Sequence, residues 1–156
     1  MHVWWLGLKD DDSRLPFLDL LRAAASQAIV WHHLAFYGPL SDSAHEVATA
    51  LRTADGSIYT GVHVEGSCRR SSICAEGVAM GMARAGIAPE AALRIDAVVS
   101  VQIKPAGQFR IIAPCGVCRE LISDYSPEAQ IWITSDAGVH AVGALDLLPF
   151  KTRRAW

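Results

Sequence analysis

Ile73-Cys74-Ala75-Glu76, read together with Pro114-Cys115-Gly116-Val117-Cys118, is the pair of stretches on which the rest of this chain turns. A Cys-x-Glu followed downstream by Pro-Cys-x-x-Cys offers three thiolates and one carboxylate at spacings that suit a metal ion. Three sulfurs leave the fourth position of a tetrahedral zinc ion to water, which separates a catalytic site from a structural one. Water on zinc loses a proton near neutral pH. Glu76, two residues beyond the first sulfur, is placed to take that proton without binding the ion. Cys115 and Cys118 are three apart, so on the first turn of a helix they share one side, and Pro114 suits a helix start. Cys74 opens an Ala-, Met- and Val-rich segment, Cys74 to Ala85, that reads as another helix. Two helix N-termini at the sulfurs are expected to favour thiolate over thiol. A lone Cys-x-x-Cys would suit a disulfide equally well; the added Cys74, Glu76 and Pro114 argue for the metal.

Outward from these two helices the pattern alternates. Phe17, Leu18, Leu20, Leu21, Ala24, Ala25, Ala28, Ile29 and Leu34 recur at helical spacing, with His32 and His33 near the end and Tyr37-Gly38-Pro39 as the breaker. Val47 to Arg52 and Ile58 to Val64 read as a hairpin around the turn Ala54-Asp55-Gly56-Ser57. Ile95 to Ile103 is an apolar strand, Lys104 to Gly107 a turn, and Phe109 to Ile112 a further extended piece leading to Pro114. The Cys115 helix runs to about Tyr125. Gln130 to Thr134 and Val139 to Ala144 are extended, and Leu145 to Leu148 is a short helix. Strands first, then helices alternating with strands, predict a three-layer α/β/α fold around a mixed five-stranded sheet. One domain is expected over residues 1–156, with a tail at 1–12 that carries Trp4-Trp5 and a mildly basic tail at 151–156.

Charge and cysteine usage narrow the function classes. The chain has 14 Lys and Arg against 16 Asp and Glu, a net charge of -2, which argues against nucleic acid as the partner. Only 19% of its 156 residues are charged and 51% are hydrophobic, so part of the surface is expected to be covered by other subunits. No run of apolar residues is long enough to span a membrane. Met1 to Leu8 is apolar, but Lys9 and three aspartates follow, so no secretory leader is expected. Four cysteines, three of them assigned to metal, fit a reducing cytoplasm. Cys68, the fourth, reads as a small semi-buried thiol, since a fourth sulfur would close the zinc site.

Cys-x-Glu with Pro-Cys-x-x-Cys is the signature of zinc deaminases. The chain resembles the small cytidine deaminases and, behind them, the related blasticidin S deaminases, from about Leu18 to Pro149. The residues that carry the resemblance are Thr60-Gly61, Glu65, Cys74-Ala75-Glu76, Pro114 to Arg119 and Leu147-Leu148-Pro149. It implies a homotetramer with one zinc per subunit and hydrolytic removal of the 4-amino group from a cytosine nucleoside, a small-molecule substrate. Glu76 then moves the proton, Cys74, Cys115 and Cys118 hold the ion, and the backbone around Ala75 holds the base edge. Arg119, next to Cys118, is the candidate donor to the sulfurs, offsetting the charge of three thiolates.

The departures fall on positions that would face substrate. Similar enzymes usually read Asn-Val-Glu-Asn where this chain has His63-Val64-Glu65-Gly66. Glu65 still offers an acceptor for a sugar hydroxyl, and His63 stands where the amide would be. Arg69, followed by Arg70, replaces a usual aromatic and could meet an anionic substrate group. Gly77 replaces an arginine that commonly follows Cys-Ala-Glu, and His45 stands at a usual phenylalanine. The chemistry is therefore expected to hold while the substrate is open: cytidine or deoxycytidine, or else a modified nucleoside, a nucleoside antibiotic or another amino-heterocycle. A zinc-stabilised binding module without catalysis is the reading from another class; it has no use for Glu76.

Overall fold

The computed structural model describes residues 17, 21–26, 47–103 and 109–152. Trp4-Trp5, His32, His33, Tyr37-Gly38-Pro39, His45, the turn at Lys104 to Gly107 and the last four residues lie outside these ranges.

Residues 21–26 are helical (α1) and carry the expected apolar stripe, with Leu21 and Ala24 buried beside Phe17. Val47–Thr53 (β1) and Ile58–Val62 (β2) pair antiparallel. Their turn is held by Asp55, whose Oδ1 accepts from Thr53 Oγ1 at 2.6 Å and from the Ser57 amide at 3.0 Å. The spacing predicts this second strand as far as Val64, but it ends at Val62 because Val64 leaves β1 to bridge with Ile73. Ala75–Gly86 (α2) follows, then Ile95–Ile103 (β3), Phe109–Ile112 (β4), Gly116–Tyr125 (α3), Gln130–Ser135 (β5) and Gly138–Gly143 (β6). A 3-10 turn, Leu145–Leu147, comes after β6.

The sheet is mixed, as expected, and one strand larger. Five strands form the path β2-β1-β3-β5-β6, and β4 adds a sixth on β3. One edge of β3 is paired with β1 along nearly its whole length. The other edge is divided: β5 runs parallel along Ala97 to Val99, and β4 antiparallel along Ser100 to Ile103. A nine-residue strand is long enough to take two short partners end to end. Thr134 Oγ1 joins those two partners by donating to the Ile111 carbonyl at 2.9 Å.

Because β3 is covered on both faces, its side chains are apolar with few breaks. Ala97, Val99 and Val101 point to the layer of Phe17, Leu21 and Ala24, where Phe17 stacks on Trp132. Ile95 and Val98 point to the opposite layer, with Ala79, Met80 and Ala83 of α2 and Ile122 of α3. These are the three layers expected. Gly61 lets α2 lie close on β2: a Cβ there would run into the Ala75 carbonyl and the Ala79 amide. At the end of the described chain Lys151, expected in a tail, is anchored to α3 through Ser123 Oγ at 2.6 Å, Asp124 at 2.7 Å and Glu120 at 2.8 Å.

Candidate metal centre and active site

The two helices of one layer present their N-termini to the same place. Cys74 is the residue before the first turn of α2, and Cys115 holds the same position on α3; both have extended backbone. Cys118 sits in the first turn of α3 and is buried. The three sulfurs lie within 4.8 Å of one another, and those of Cys74 and Cys115 are 3.6 Å apart. A tetrahedral zinc ion with Zn–S bonds of about 2.3 Å separates two sulfurs by about 3.8 Å. The donor set therefore fits a zinc ion with small adjustment. Cys68 is outside the cluster: it is exposed, not semi-buried, and its sulfur lies 3.5 Å from Ser71 Oγ.

The expectation that helix N-termini favour thiolate holds at one sulfur of three. Burial pushes the Cys118 thiol far up, and the nearby Glu76 carboxylate adds to this. Burial also raises Cys74, helped by its hydrogen bond with Cys115. At Cys115 burial acts upward too, but the Cys118 backbone amide and the neighbouring thiols outweigh it and the group lies below its usual value. Without a cation, loss of water dominates at the buried Cys118, while Cys74 and Cys115 shift in opposite directions because they share one hydrogen bond.

Glu76, in the first turn of α2, is buried at 4% exposure beside these sulfurs. Its Oε2 lies 3.5 Å from Cys118 Sγ, and its Oε1 accepts a hydrogen bond of 2.9 Å from Ser100 Oγ. Ser100 in turn lies 2.8 Å from Thr49 Oγ1. Neither hydroxyl belongs to the expected site, although the strands left a signal. Both are polar residues at fully buried positions of central strands, and they stand directly opposite one another in register.

The loop after β2 reaches the cluster through a single bridge. Val64 and Ile73 exchange two backbone hydrogen bonds of 2.9 Å in an isolated antiparallel bridge, whose chain neighbours are His63 on one side and Cys74 on the other. The His63 amide is itself bonded to the Val47 carbonyl at 2.9 Å, and the residue is half-buried. Glu65, two residues beyond His63, is exposed. Arg69 opens a 3-10 turn, Arg69–Ser71, and Arg70 beside it is exposed. Ala75 is fully buried at the start of α2. Arg119 goes elsewhere than expected: its Nε donates to the Pro114 carbonyl at 2.8 Å and an Nη to the Leu147 carbonyl at 3.4 Å. It ties the approach to α3 to the 3-10 turn after β6, and these bonds go to backbone oxygens, not to sulfur.

Comparison with known proteins gives the same arrangement a lineage. No family model matches the chain. It is 33% identical over 117 residues to a blasticidin-S deaminase of Bacillus cereus, covering 72% of this chain and 81% of that protein. It is similar to the solved cytidine deaminase of Mycobacterium leprae, with 30% identity and a TM-score of 0.53 over 66% of this chain and 77% of that one. The cytidine deaminase of Bacillus anthracis shares the fold, with a TM-score of 0.58 and 24% identity over 67% of this chain and 73% of that one.

Proposed function

This chain belongs to the cytidine deaminase family, whose members hydrolyse C–N bonds, and from that premise we propose that it is a zinc-dependent deaminase removing the 4-amino group of a cytosine nucleoside. The observation that carries the reading is Glu76, a carboxylate buried against three clustered sulfurs. A module that used zinc only for stability has no use for a buried acid there, and burying one unaided is costly.

Cys74, Cys115 and Cys118 would hold the ion. When bound, zinc supplies the acidification of a water molecule at neutral pH. Glu76 takes the proton that this releases on Oε2, the oxygen nearer the sulfurs, and passes it to the ring nitrogen. The second proton follows the same route to the exocyclic amine, which leaves as ammonia while the ring carbon keeps the oxygen. The backbone at Ala75 holds the base edge. His63 and Glu65 bind sugar hydroxyls, supported by the bridge that sets their segment beside Cys74. Arg69 meets an anionic substituent. Arg119 holds the start of α3 through the Pro114 carbonyl, which steadies Cys115 and Cys118.

The protein acts on a small molecule in the cytoplasm, as a homotetramer and not on nucleic acid. Val64, Ile73 and Val117 are exposed apolar residues next to the ligands and support a subunit contact there. Among the described residues no helix is long and apolar enough to cross a membrane.

A second reading changes the substrate to a nucleoside antibiotic and keeps every step. The relative from Bacillus cereus, a blasticidin-S deaminase, favours it, as do His63 and Gly77. Purified, zinc-loaded protein is offered cytidine and blasticidin S, with Glu76→Gln as the blank. Uridine and ammonia from cytidine, abolished in the variant, support the first reading. Turnover of blasticidin S alone moves the assignment to the second. Turnover of neither, by folded protein with zinc bound, sinks both.

A further inference from the structure

Beneath Glu76 the sheet carries two hydroxyls that the deaminase reading does not use. Thr49 of β1 and Ser100 of β3 are cross-strand partners, both fully buried. They share the sheet face of Leu51 and Val98, the face covered by α2. A hydroxyl in such a place costs free energy unless it is bonded. Both are: Ser100 Oγ donates to Glu76 Oε1 at 2.9 Å, and Thr49 Oγ1 lies 2.8 Å from Ser100 Oγ. A serine hydroxyl has a single proton. With that proton committed to the carboxylate, Ser100 has only lone pairs to offer Thr49, so Thr49 is the donor in the second bond. The chain runs from Thr49 through Ser100 to Glu76, each bond polarising the next.

The other carboxylate oxygen has a less durable partner. Cys118 Sγ faces Glu76 Oε2 at 3.5 Å, and a cysteine bound to metal as thiolate has no proton to donate. Of the two side-chain bonds to Glu76, the one from Ser100 is then the one that persists.

We propose that Ser100, backed by Thr49, is a positioning residue for Glu76: it ties Oε1 to the sheet and thereby keeps Oε2 turned to the three sulfurs. The inference rests on the acid–base role proposed above for Glu76. The last torsion of a glutamate is broad and roughly two-fold, so an unanchored carboxylate exchanges its oxygens and drifts. A group that must receive a proton at one place and deliver it at two others loses rate when it is displaced by about 1 Å. Regular strands supply the anchor, and strands hold a side chain more firmly than a loop does.

Two readouts test this. Infrared difference spectra, wild type minus Glu76→Gln, isolate the Glu76 carboxylate bands in metal-free and zinc-loaded protein with no substrate present. Ser100→Ala is expected to shift those bands, and Ser100→Thr to leave them in place. In turnover, Ser100→Ala is expected to lose about 10- to 100-fold in kcat with KM changed by less than about twofold. Thr49→Val loses less, and Ser100→Thr recovers most of the rate, with zinc content and Tm close to wild type. Bands that stay put in Ser100→Ala overturn the proposal. So does a rate loss that tracks loss of zinc or of Tm and is not restored by Ser100→Thr. If the wild type turns over none of the nucleosides offered, the proposed function fails while the infrared shift still decides whether Ser100 orients Glu76.

Discussion

On one side of the candidate site, Glu76, Cys118, Ser100 and Thr49 are buried within helices and central strands. On the other, Glu65, Cys68 and Arg70 stand exposed on a segment held by the Val64–Ile73 bridge and a 3.1 Å bond from the Gly66 amide to Ser72 Oγ. The buried side is over-determined, since each polar atom has a partner and each partner sits on a regular element. On the exposed side Glu65 and Arg70 can change at little cost to the fold, but a Cβ at Gly66 would run into Ser71. Of the departures from similar enzymes, His63, Gly66 and Arg69 fall on this segment, while Gly77 falls in the first turn of α2. In the proposed function, reaction type rests on the packed side and choice of substrate on the open one.

The contrast is sharpest at Glu76. Glu76→Gln is expected to lower kcat by about 10³-fold while zinc stoichiometry and the circular-dichroism spectrum stay at wild-type values; a small loss of rate would move the proton carrier elsewhere. Metal affinity comes next. Cys74 and Cys118 lie above the usual thiol range, so they are protonated at neutral pH without metal and must release protons to bind it. Affinity therefore rises with pH, by about tenfold per unit for each proton displaced, until the thiols are ionised in the free protein. Chelator competition at pH 6 and pH 7 measures the slope, and a flat response contradicts the burial argument.

Gly61→Ala tests how the buried side is packed. Its Cβ would meet the Ala75 carbonyl and the Ala79 amide, so α2 has to move off β2. A destabilisation of about 1–3 kcal/mol by urea unfolding is expected, together with weaker zinc binding because Cys74 moves with the helix. On the loop, Glu65→Gln is expected to raise KM by roughly tenfold, with Tm unmoved; a fall in Tm would make Glu65 part of the framework. The smallest effect is at Gly77, where a Cβ would meet nothing nearer than Ile73 Cγ2 at 3.6 Å. Gly77→Ala is expected to stabilise the protein by about 0.5–1 kcal/mol through helix propensity. A destabilised variant would show that the space is not open.

Much of this was legible in the residue pattern because it is local. Cys74 and Cys115 precede helices that begin where Pro114 and the Ala-rich run predict, and the bounds of β3 and β4 follow from their apolar runs. Cys-x-Glu and Pro-Cys-x-x-Cys mark three sulfurs and a carboxylate as candidates for one site, and the three sulfurs do cluster. The sixth strand is less local. Periodicity finds the segment Phe109–Ile112, but only pairing says that it shares an edge of β3 with β5.

Everything decided by contacts between distant residues had to wait for the tertiary structure. Ser100 and Glu76 are 24 positions apart, Cys74 and Cys115 are 41 apart, and Thr49 and Ser100 are 51 apart. No periodicity reports such pairs, so the hydroxyl chain beneath the carboxylate is invisible until β1, β3 and α2 are stacked. Arg119 makes the same point in reverse: adjacency to Cys118 suggested a bond to sulfur, and the folded chain offered it two carbonyls instead. The helix-terminus argument for thiolates was sound for a solvated sulfur, and burial, which only packing sets, reversed it at Cys74 and Cys118. The sequence by itself determined which chemical groups are present and on which elements they ride. The tertiary structure decided which of them touch and how much water they keep, because hydrogen bonding and desolvation act through space and not along the chain.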